Sequence, residues 1–324
     1  MKRIESIDIL RGFALLGILF INMQQMLLPV TDIEARVADR ILFNGFEYGI
    51  SHRFFVIFSF LFGAGFYLFM KNAEEKGEKA SLLFARRLLI LLAIGIVHHL
   101  FQPGEVLVYY AIFGFLLLPF RRANAWVLLA AGLVMTGLGV YLGSIFMTYG
   151  MFLLGYGAAR IGLFEPGAYR GGLFAAQLIS LLLIYPCALL QRTVMDSTGL
   201  YDTASAIGGL PLSVFYVTTI LLLCGSPSVR RRLGALGNMG RMALTNYLMQ
   251  TAVIVLLSAL LDWEGTIGLP LLIAAAVVLL AAQALLSTLW LRRFTMGPCE
   301  YLWRLGTYGR RSAKPFRRPV REAA

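Results

Sequence analysis

The stretch IESIDILRGFALLGILFINM, residues 4–23, is a run of apolar residues with a carboxylate and a guanidinium near one end and an amide at the other. An α-helix needs about 20 such residues to cross the hydrocarbon core of a bilayer. The stretch therefore predicts a transmembrane helix. Lys2 and Arg3 precede it, as in a signal peptide, but no small-residue cleavage site follows, which favours a span that is retained.

The composition of the 324-residue chain indicates that this helix is one of many. Hydrophobic residues make up 59% of the chain and charged residues 14%, whereas a soluble domain is about half apolar and about a quarter charged. The apolar residues come in blocks, which is typical of a polytopic membrane protein. The net charge of +12 is explained by the basic loops of such proteins, so no nucleic acid is expected as a partner.

Apolar runs of suitable length predict an all-α bundle of about ten transmembrane spans. The fourth span follows the third after only QPGE, and the fifth and sixth form one long run, so removing a close pair gives eight spans as the alternative. The ten runs are about 9–30, 53–70, 86–101, 105–120, 124–143, 147–164, 173–191, 209–225, 241–261 and 267–291.

The loops between these spans alternate in charge. Even-numbered loops carry most of the Lys and Arg, whereas odd-numbered loops carry acids such as Glu47, Glu105 and Asp262. Because cytoplasmic loops of membrane proteins collect basic residues, both termini are predicted to be cytoplasmic.

Polar residues inside the predicted spans are the first candidates for function, because a charge at the bilayer centre costs about 3 kcal/mol. Arg11 and Asn22 are eleven residues apart, which places them on nearly the same face of the first helix and about 16 Å apart along its axis. One interpretation is a functional stripe. The alternative is an Asp8–Arg11 anchor and an interhelical hydrogen bond from Asn22.

A second candidate site lies where the third predicted span ends in His98 and His99. A tight turn through Pro103 and Gly104 returns Glu105 toward them. A histidine facing a carboxylate is a pair that can orient and tune a general base. The alternative is a polar turn at the membrane surface.

A third candidate site lies in LGNMGRMALTNYLMQT, residues 236–251. Arg241 beside a glycine-rich helix start can hold an anion by its charge and by free N–H donors. Asn246 and Gln250 are four residues apart and share one helix face. The alternative is a basic anchor followed by interhelical hydrogen bonds. The histidines and cysteines of the chain show no metal-ligand spacing, so no metal site is expected.

Several blocks of the sequence resemble, in the same order, those of the YeiB-like family of bacterial membrane proteins, also described as domain of unknown function 418. They are IDILRGFALLGILFIN, FFVIFSFLFGAG, GIVHHLF with GEVLVYYAIFG, GRMALTNYLMQT and GPCEYLWRLGTY. The resemblance divides the chain into an N-terminal transmembrane region over 1–122, a C-terminal YeiB-like transmembrane region over 123–309 and a basic cytoplasmic tail over 310–324. It also implies a location in the bacterial cytoplasmic membrane.

The family is similar to transmembrane acyltransferases of the heparan glucosaminide N-acetyltransferase type. This implies an acyl-CoA such as acetyl-CoA as co-substrate, an envelope glycan, lipid or small molecule as acceptor, and no tightly bound cofactor. Such enzymes have an Arg and a His eleven residues apart in the opening helix, where this chain has Arg11 and Asn22. An amide takes up no proton near neutral pH, so His98, oriented by Glu105, becomes the predicted base.

The remaining residues are then assigned around this base. Arg11, Arg241 and Asn22 are predicted to bind the acyl donor, and Asn246, Gln250 and His99 are predicted to position the substrate. Two other functions use the same residues. One is a small-solute transporter or permease whose pathway they line, and the other is a non-catalytic membrane scaffold. The oligomeric state stays open.

Overall fold

The computed structural model describes residues 3–28, 37–198, 200–309 and 316, and in these residues the protein is built from helices without β-strands. Fourteen α-helices are present in the described ranges, with one short 3-10 helix, Leu118–Arg122. The α-helices are α1 Glu5–Leu27, α2 Val37–Gly49, α3 Arg53–Glu74, α4 Ala80–His99, α5 Leu107–Leu117, α6 Ala125–Leu142, α7 Ser144–Arg160, α8 Arg170–Thr198, α9 Tyr201–Leu223, α10 Pro227–Arg232, α11 Gly234–Arg241, α12 Ala243–Leu261, α13 Leu269–Arg293 and α14 Pro298–Tyr308.

The prediction of an all-helical, multi-pass membrane protein is confirmed. A helix lies at each of the ten predicted spans, but eight helical segments of the described chain are long and apolar enough to cross a membrane. They are α1, the end of α2 continued through α3, α4, α6, α8, α9, α12 and α13. The other two predicted spans correspond to α5, with 11 residues, and α7, with 17 residues.

Large apolar side chains cover the outside of the bundle. Trp126 on α6, Leu182 on α8 and Val278 on α13 are 69%, 76% and 69% exposed. Contiguous apolar surface of this kind is unfavourable in water and fits contact with lipid chains.

Helix α1 lies at the centre of the bundle, where it packs on α3, α9, α11, α12 and α13. Its approach to α11 depends on Gly12, because a Cβ atom there would lie 2.0 Å from the carbonyl oxygen of Leu236. Small residues that let backbones meet are a common feature of membrane helix interfaces. The close packing fixes Arg11 and Asn22 relative to the C-terminal helices.

The predicted ninth span starts with a break. Helix α11 ends at Arg241, and α12 begins at Ala243. Glu300 of α14 accepts hydrogen bonds from the backbone N–H groups of Leu244 and Thr245, at 2.7 and 3.1 Å. The segments GRMALTNYL and GPCEYLWR therefore form one unit, in which the second caps the helix of the first.

Candidate functional site

His98 and Glu105 meet at the turn between α4 and α5. Oε2 of Glu105 contacts Nδ1 of His98, and Oε1 accepts the backbone N–H of Leu107. The hydroxyl of Tyr247, on α12, donates to Oε2 of Glu105 at 3.4 Å. Three donors thus surround a carboxylate that is only 3% exposed, which offsets part of the cost of burying its charge.

The pairing determines which nitrogen of His98 is available. A carboxylate at Nδ1 keeps the proton on that atom, so the lone pair of the neutral ring lies on Nε2. Nε2 lies 2.8 Å from the hydroxyl oxygen of Thr251 on α12. The carboxylate, the imidazole and the hydroxyl form a continuous chain of contacts, in which His98 is 6% and Thr251 2% exposed.

Asn22 joins this turn to the central helix. Nε2 of Gln102 donates to Oδ1 of Asn22 at 3.0 Å and to Oε1 of Gln25 at 3.3 Å, and the backbone N–H of Gln102 bonds the carbonyl of His98. Nδ2 of Asn22 is buried and has no hydrogen-bond partner in the described residues. An unpaired buried donor of this kind is costly unless a ligand uses it.

Arg11 lies about three helical turns from Asn22, in a layer of charges and aromatic rings. Its side chain is 31% exposed and 3.9 Å from Asp8, and it lies against the bare backbone of Gly65. On α4, the guanidinium of Arg87 stacks 3.5 Å from the ring centroid of Trp303. Arg11 and Arg87 each precede a polar residue of their own helix, Asn22 and His98, by eleven positions.

Arg11 and Arg87 define one layer of the bundle, the arginine layer, and Asn22 and His98 define a second, the polar layer. The two layers are separated by a similar distance along each helix. Eleven residues of helix correspond to about 16 Å, which is about half of a hydrocarbon core of about 30 Å. In α4, twelve residues of helix follow Arg87 before the helix ends at His99, so the turn lies about as far from the level of Arg87 as Asn22 lies from Arg11. The corresponding pairs, each eleven residues apart, are Arg11 and Asn22 in α1 and Arg87 and His98 in α4.

Asn246 and Gln250 are directed toward α13 rather than toward His98. Nδ2 of Asn246 donates to Ser287 at 3.0 Å, and Nε2 of Gln250 donates to Gln283 at 2.9 Å. The amide of Gln283 in turn donates to the backbone carbonyl of Asn246. These bonds correspond to the alternative interpretation, in which the two amides link helices.

Two further predicted site residues also lie apart from the His98–Glu105 pair. His99 is exposed. Arg241 donates to the carbonyl of Thr295 at 3.1 Å. Near Arg241, the backbone N–H groups of Leu244 and Thr245 are already bonded to Glu300, so these two donors are not free to hold an anion.

A second buried polar cluster was not identified from the sequence. Gln191 on α8 connects Glu47 and Arg53, accepting from Arg53 at 2.9 Å and donating to Glu47 at 2.9 Å. Tyr201 and Ser205 on α9 also donate to Glu47. The sequence places Glu47 in a loop of acids, and only the folded chain shows that α2 carries it into the bundle.

The missed residues of the first site have a weak sequence signal. Tyr247 and Thr251 are four residues apart on α12, and Gln102 follows His98 by four, so each pair repeats at helical spacing. In the described part of the chain, no group of three or more His, Cys, Asp or Glu side chains is arranged to hold a metal ion.

The fold and these contacts define a helical multi-pass membrane protein with a buried Glu–His–Thr chain of contacts facing its central helix. Comparison with known proteins gives the family. Residues 158–310 match the family described as Protein of unknown function (DUF418), and residues 3–162 match that described as Heparan-alpha-glucosaminide N-acetyltransferase, catalytic. The chain belongs to the YeiB-like DUF418 family, and its N-terminal half is similar to an acetyltransferase domain.

Two relatives match nearly the whole chain, and a third matches a short part of it. An uncharacterized 39.9 kDa protein of Bacillus acidopullulyticus is 35% identical, over 96% of this chain and 95% of the relative. The uncharacterized protein YxaH of Bacillus subtilis is 31% identical, over 95% and 94%. The uncharacterized protein YeiB of Escherichia coli is 41% identical over 22% of this chain and 18% of its own length. No solved structure matches the chain.

Proposed function

We propose that this protein transfers an acyl group within the bacterial cytoplasmic membrane, from a cytoplasmic acyl-CoA such as acetyl-CoA to a glycan, lipid or small molecule of the envelope. The observation that carries the proposal is the buried pair of His98 and Glu105. A histidine with a carboxylate on one nitrogen and a lone pair on the other is suited to general base catalysis. The similarity of residues 3–162 to an acetyltransferase domain supports the same chemistry.

The acyl donor binds at the arginine layer. Arg11 and Arg87 supply positive charge for the phosphates of the donor, and the termini and basic loops on this side are cytoplasmic, following the distribution of Lys and Arg. The separation of about 16 Å between Arg11 and the level of Asn22 is one that an extended phosphopantetheine arm can cover. The thioester of a donor held by Arg11 then reaches the depth of His98.

The acceptor reacts at the polar layer. His98 removes the proton of its hydroxyl or amine through Nε2, and Glu105 stabilises the imidazolium that forms. Nδ2 of Asn22, which has no partner among the described residues, is a donor for the acyl carbonyl oxygen, whose negative charge grows in the transition state. Asn22 therefore acts by polarising the acyl carbonyl group, a role that does not require its amide to take up a proton.

The donor step is tested by equilibrium binding of radiolabelled acetyl-CoA to the purified full-length protein in lipid nanodiscs. Saturable binding is expected, and Arg11→Ala is expected to weaken it at least about tenfold, equivalent to about 1.4 kcal/mol. Arg192→Ala is the matched control, because Arg192 is 74% exposed on α8, where it pairs with Asp196. Absence of saturable binding, or unchanged binding by Arg11→Ala, would refute the proposed donor site.

The transfer step is tested by release of CoA thiol in the presence of an envelope extract. His98→Gln keeps the size and polarity of the side chain but supplies no base, so a fall of about 100-fold or more is expected. His52→Gln is the control, because His52 lies at the start of α3, 3.8 Å from Asp202 and outside the contacts of His98. Equal rates for His98→Gln and wild type would exclude His98 as the base.

A further inference from the structure

The hydroxyl of Thr251 has no role in the transfer described above, although it is the group that touches the reactive nitrogen of His98. It lies 2.8 Å from Nε2, on the ring edge opposite to Glu105. The nearest proton available to that lone pair is therefore the hydroxyl proton of Thr251. A base in hydrogen-bond reach of a hydroxyl, and itself oriented by a third group, is the arrangement that activates a nucleophile.

Helix α12 supplies both ends of this chain of contacts. Tyr247 donates to Glu105, and Thr251, one turn further on the same face, meets His98. Because side chains four residues apart lie one above the other on a helix, the position of Tyr247 also fixes that of Thr251. Burial adds a second feature, since Thr251 is 2% and His98 6% exposed, and an ester formed there is sheltered from water.

We propose that Thr251 is the nucleophile of a two-step transfer and carries the acyl group as an ester between donor and acceptor. This inference rests on the proposed acyl transfer and deepens it. A covalent relay suits a site whose two substrates arrive from opposite sides of the membrane, because the donor can leave before the acceptor enters. The class of substrate is an acyl thioester in the first step and a hydroxyl or amine in the second.

In the first step, the Oγ1 atom of Thr251 attacks the thioester carbonyl carbon while its proton passes to Nε2 of His98. The C–S bond breaks, the thiolate takes the proton from Nε2, and CoA leaves as the thiol. In the second step, the acceptor O–H or N–H gives its proton to Nε2 as the acceptor atom attacks the ester carbonyl carbon. The C–Oγ1 bond breaks, and Thr251 recovers its proton from His98.

The test uses the purified full-length protein with acetyl-, butyryl- and palmitoyl-CoA, radiolabelled in the acyl group, without any acceptor. The reaction is stopped with detergent at neutral pH, and the labelled peptide is mapped at once by mass spectrometry. A threonine ester survives acid and neutral hydroxylamine, whereas an acyl-imidazole on His98 is cleaved by neutral hydroxylamine. We expect a stable acyl group on Thr251 and release of an equal amount of CoA thiol.

Three variants separate a chemical role from a packing role. Thr251→Ser keeps the hydroxyl and should keep the label, whereas Thr251→Val keeps the shape and should lose it while still binding acetyl-CoA. Thr136→Val is the control, because Thr136 is also a buried threonine, on α6, and its hydroxyl has no hydrogen-bond partner in the described residues. It should label like wild type.

The outcomes also distinguish this inference from the proposed function. If wild type binds acyl-CoA and transfers the acyl group but carries no label, or if Thr251→Val transfers at the wild-type rate, the relay is overturned and direct transfer stands. Label on His98 instead of Thr251 overturns it in the same way. If wild type neither binds nor cleaves any of the three acyl-CoA compounds, the proposed function fails and the relay fails with it.

Discussion

The Glu105 carboxylate shows how a single residue can determine the chemistry of its neighbour. It is buried, so its charge is tolerated only because His98, Tyr247 and the backbone N–H of Leu107 donate to it. Those same contacts hold the carboxylate against Nδ1 of His98, which leaves Nε2 to receive a proton. The negative charge of Glu105 is then the group that stabilises the imidazolium formed during transfer.

Replacing Glu105 by Gln tests this role directly. The amide keeps the size of the side chain but removes the charge, so the imidazolium loses its stabilisation. Acyl transfer is expected to fall by about 100-fold or more, while acetyl-CoA binding at Arg11 should be unchanged. Steady-state thiol release and equilibrium binding measure the two quantities. Glu105→Asp keeps the charge and should retain more activity than Glu105→Gln, and the reverse order would contradict the assignment.

At the scale of helices, the contact between α1 and α11 determines where Arg11 and Asn22 lie. A Cβ atom at Gly12 would come within 2.0 Å of the backbone oxygen of Leu236, whereas one at Gly237 would meet only a side-chain carbon of Ile9 at 3.4 Å. The first clash involves backbone and cannot be relieved by rotating a side chain. The two glycines of one interface therefore differ sharply in their tolerance of a methyl group.

Gly12→Ala is expected to destabilise the folded protein by about 1–3 kcal/mol, the usual cost of overpacking. Gly237→Ala is the matched control and should change stability by less than about 1 kcal/mol, because its new methyl group makes an ordinary contact. Thermal unfolding in detergent, followed by intrinsic fluorescence, compares the two variants. Equal destabilisation by both substitutions would show that close packing at Gly12 does not fix this interface.

Helix α12 depends on Glu300, whose carboxylate caps its first turn. Burial raises the pKa of the Glu300 carboxyl above its ordinary value, although its hydrogen bonds to Thr245 and Leu244 oppose the shift. The folded protein therefore binds a proton more tightly than the unfolded chain. The contribution of this group to stability is complete below the ordinary glutamate pKa of about 4.3 and is lost as pH rises through the raised value.

Glu300→Gln should remove this pH dependence. The unfolding temperature of wild type, relative to that of the variant, is expected to fall as pH rises from about 4.3 toward neutral. Each unit by which the pKa of Glu300 is raised corresponds to about 1.4 kcal/mol of stability. Thermal unfolding of both proteins across this range, in one detergent, measures the difference. A constant difference, or one that shifts in favour of wild type as pH rises, would contradict the direction of the shift.

For the whole molecule, the sequence predicts what is local and misses what depends on neighbouring helices. Hydropathy locates the helices because each span must be apolar along its own length, and a short turn brings Glu105 to His98. Thr251 lies 153 residues from its partner His98, so no local pattern links them. For Asn246, the helix face is readable, but which helix lies opposite that face is decided by the packing of α13.

The depth of the α4–α5 turn is the property of the whole molecule on which the proposed site depends. The turn follows Arg87 by about 16–20 Å of helix, so with Arg87 at the cytoplasmic interface we expect its exposed Phe101 near the middle of the membrane rather than at its far surface. Spin labels on single cysteines in a cysteine-free background measure such depths by their exposure to oxygen and to a water-soluble nickel complex. The exposure of a label at Phe101→Cys to oxygen and to nickel should resemble that of a label at Leu182→Cys on lipid-facing α8. A label at Trp263→Cys, between α12 and α13, should show the exposure expected at the membrane surface. If Phe101 instead resembles Trp263, the turn lies at the membrane surface, and the thioester of a donor held at Arg11 does not reach His98.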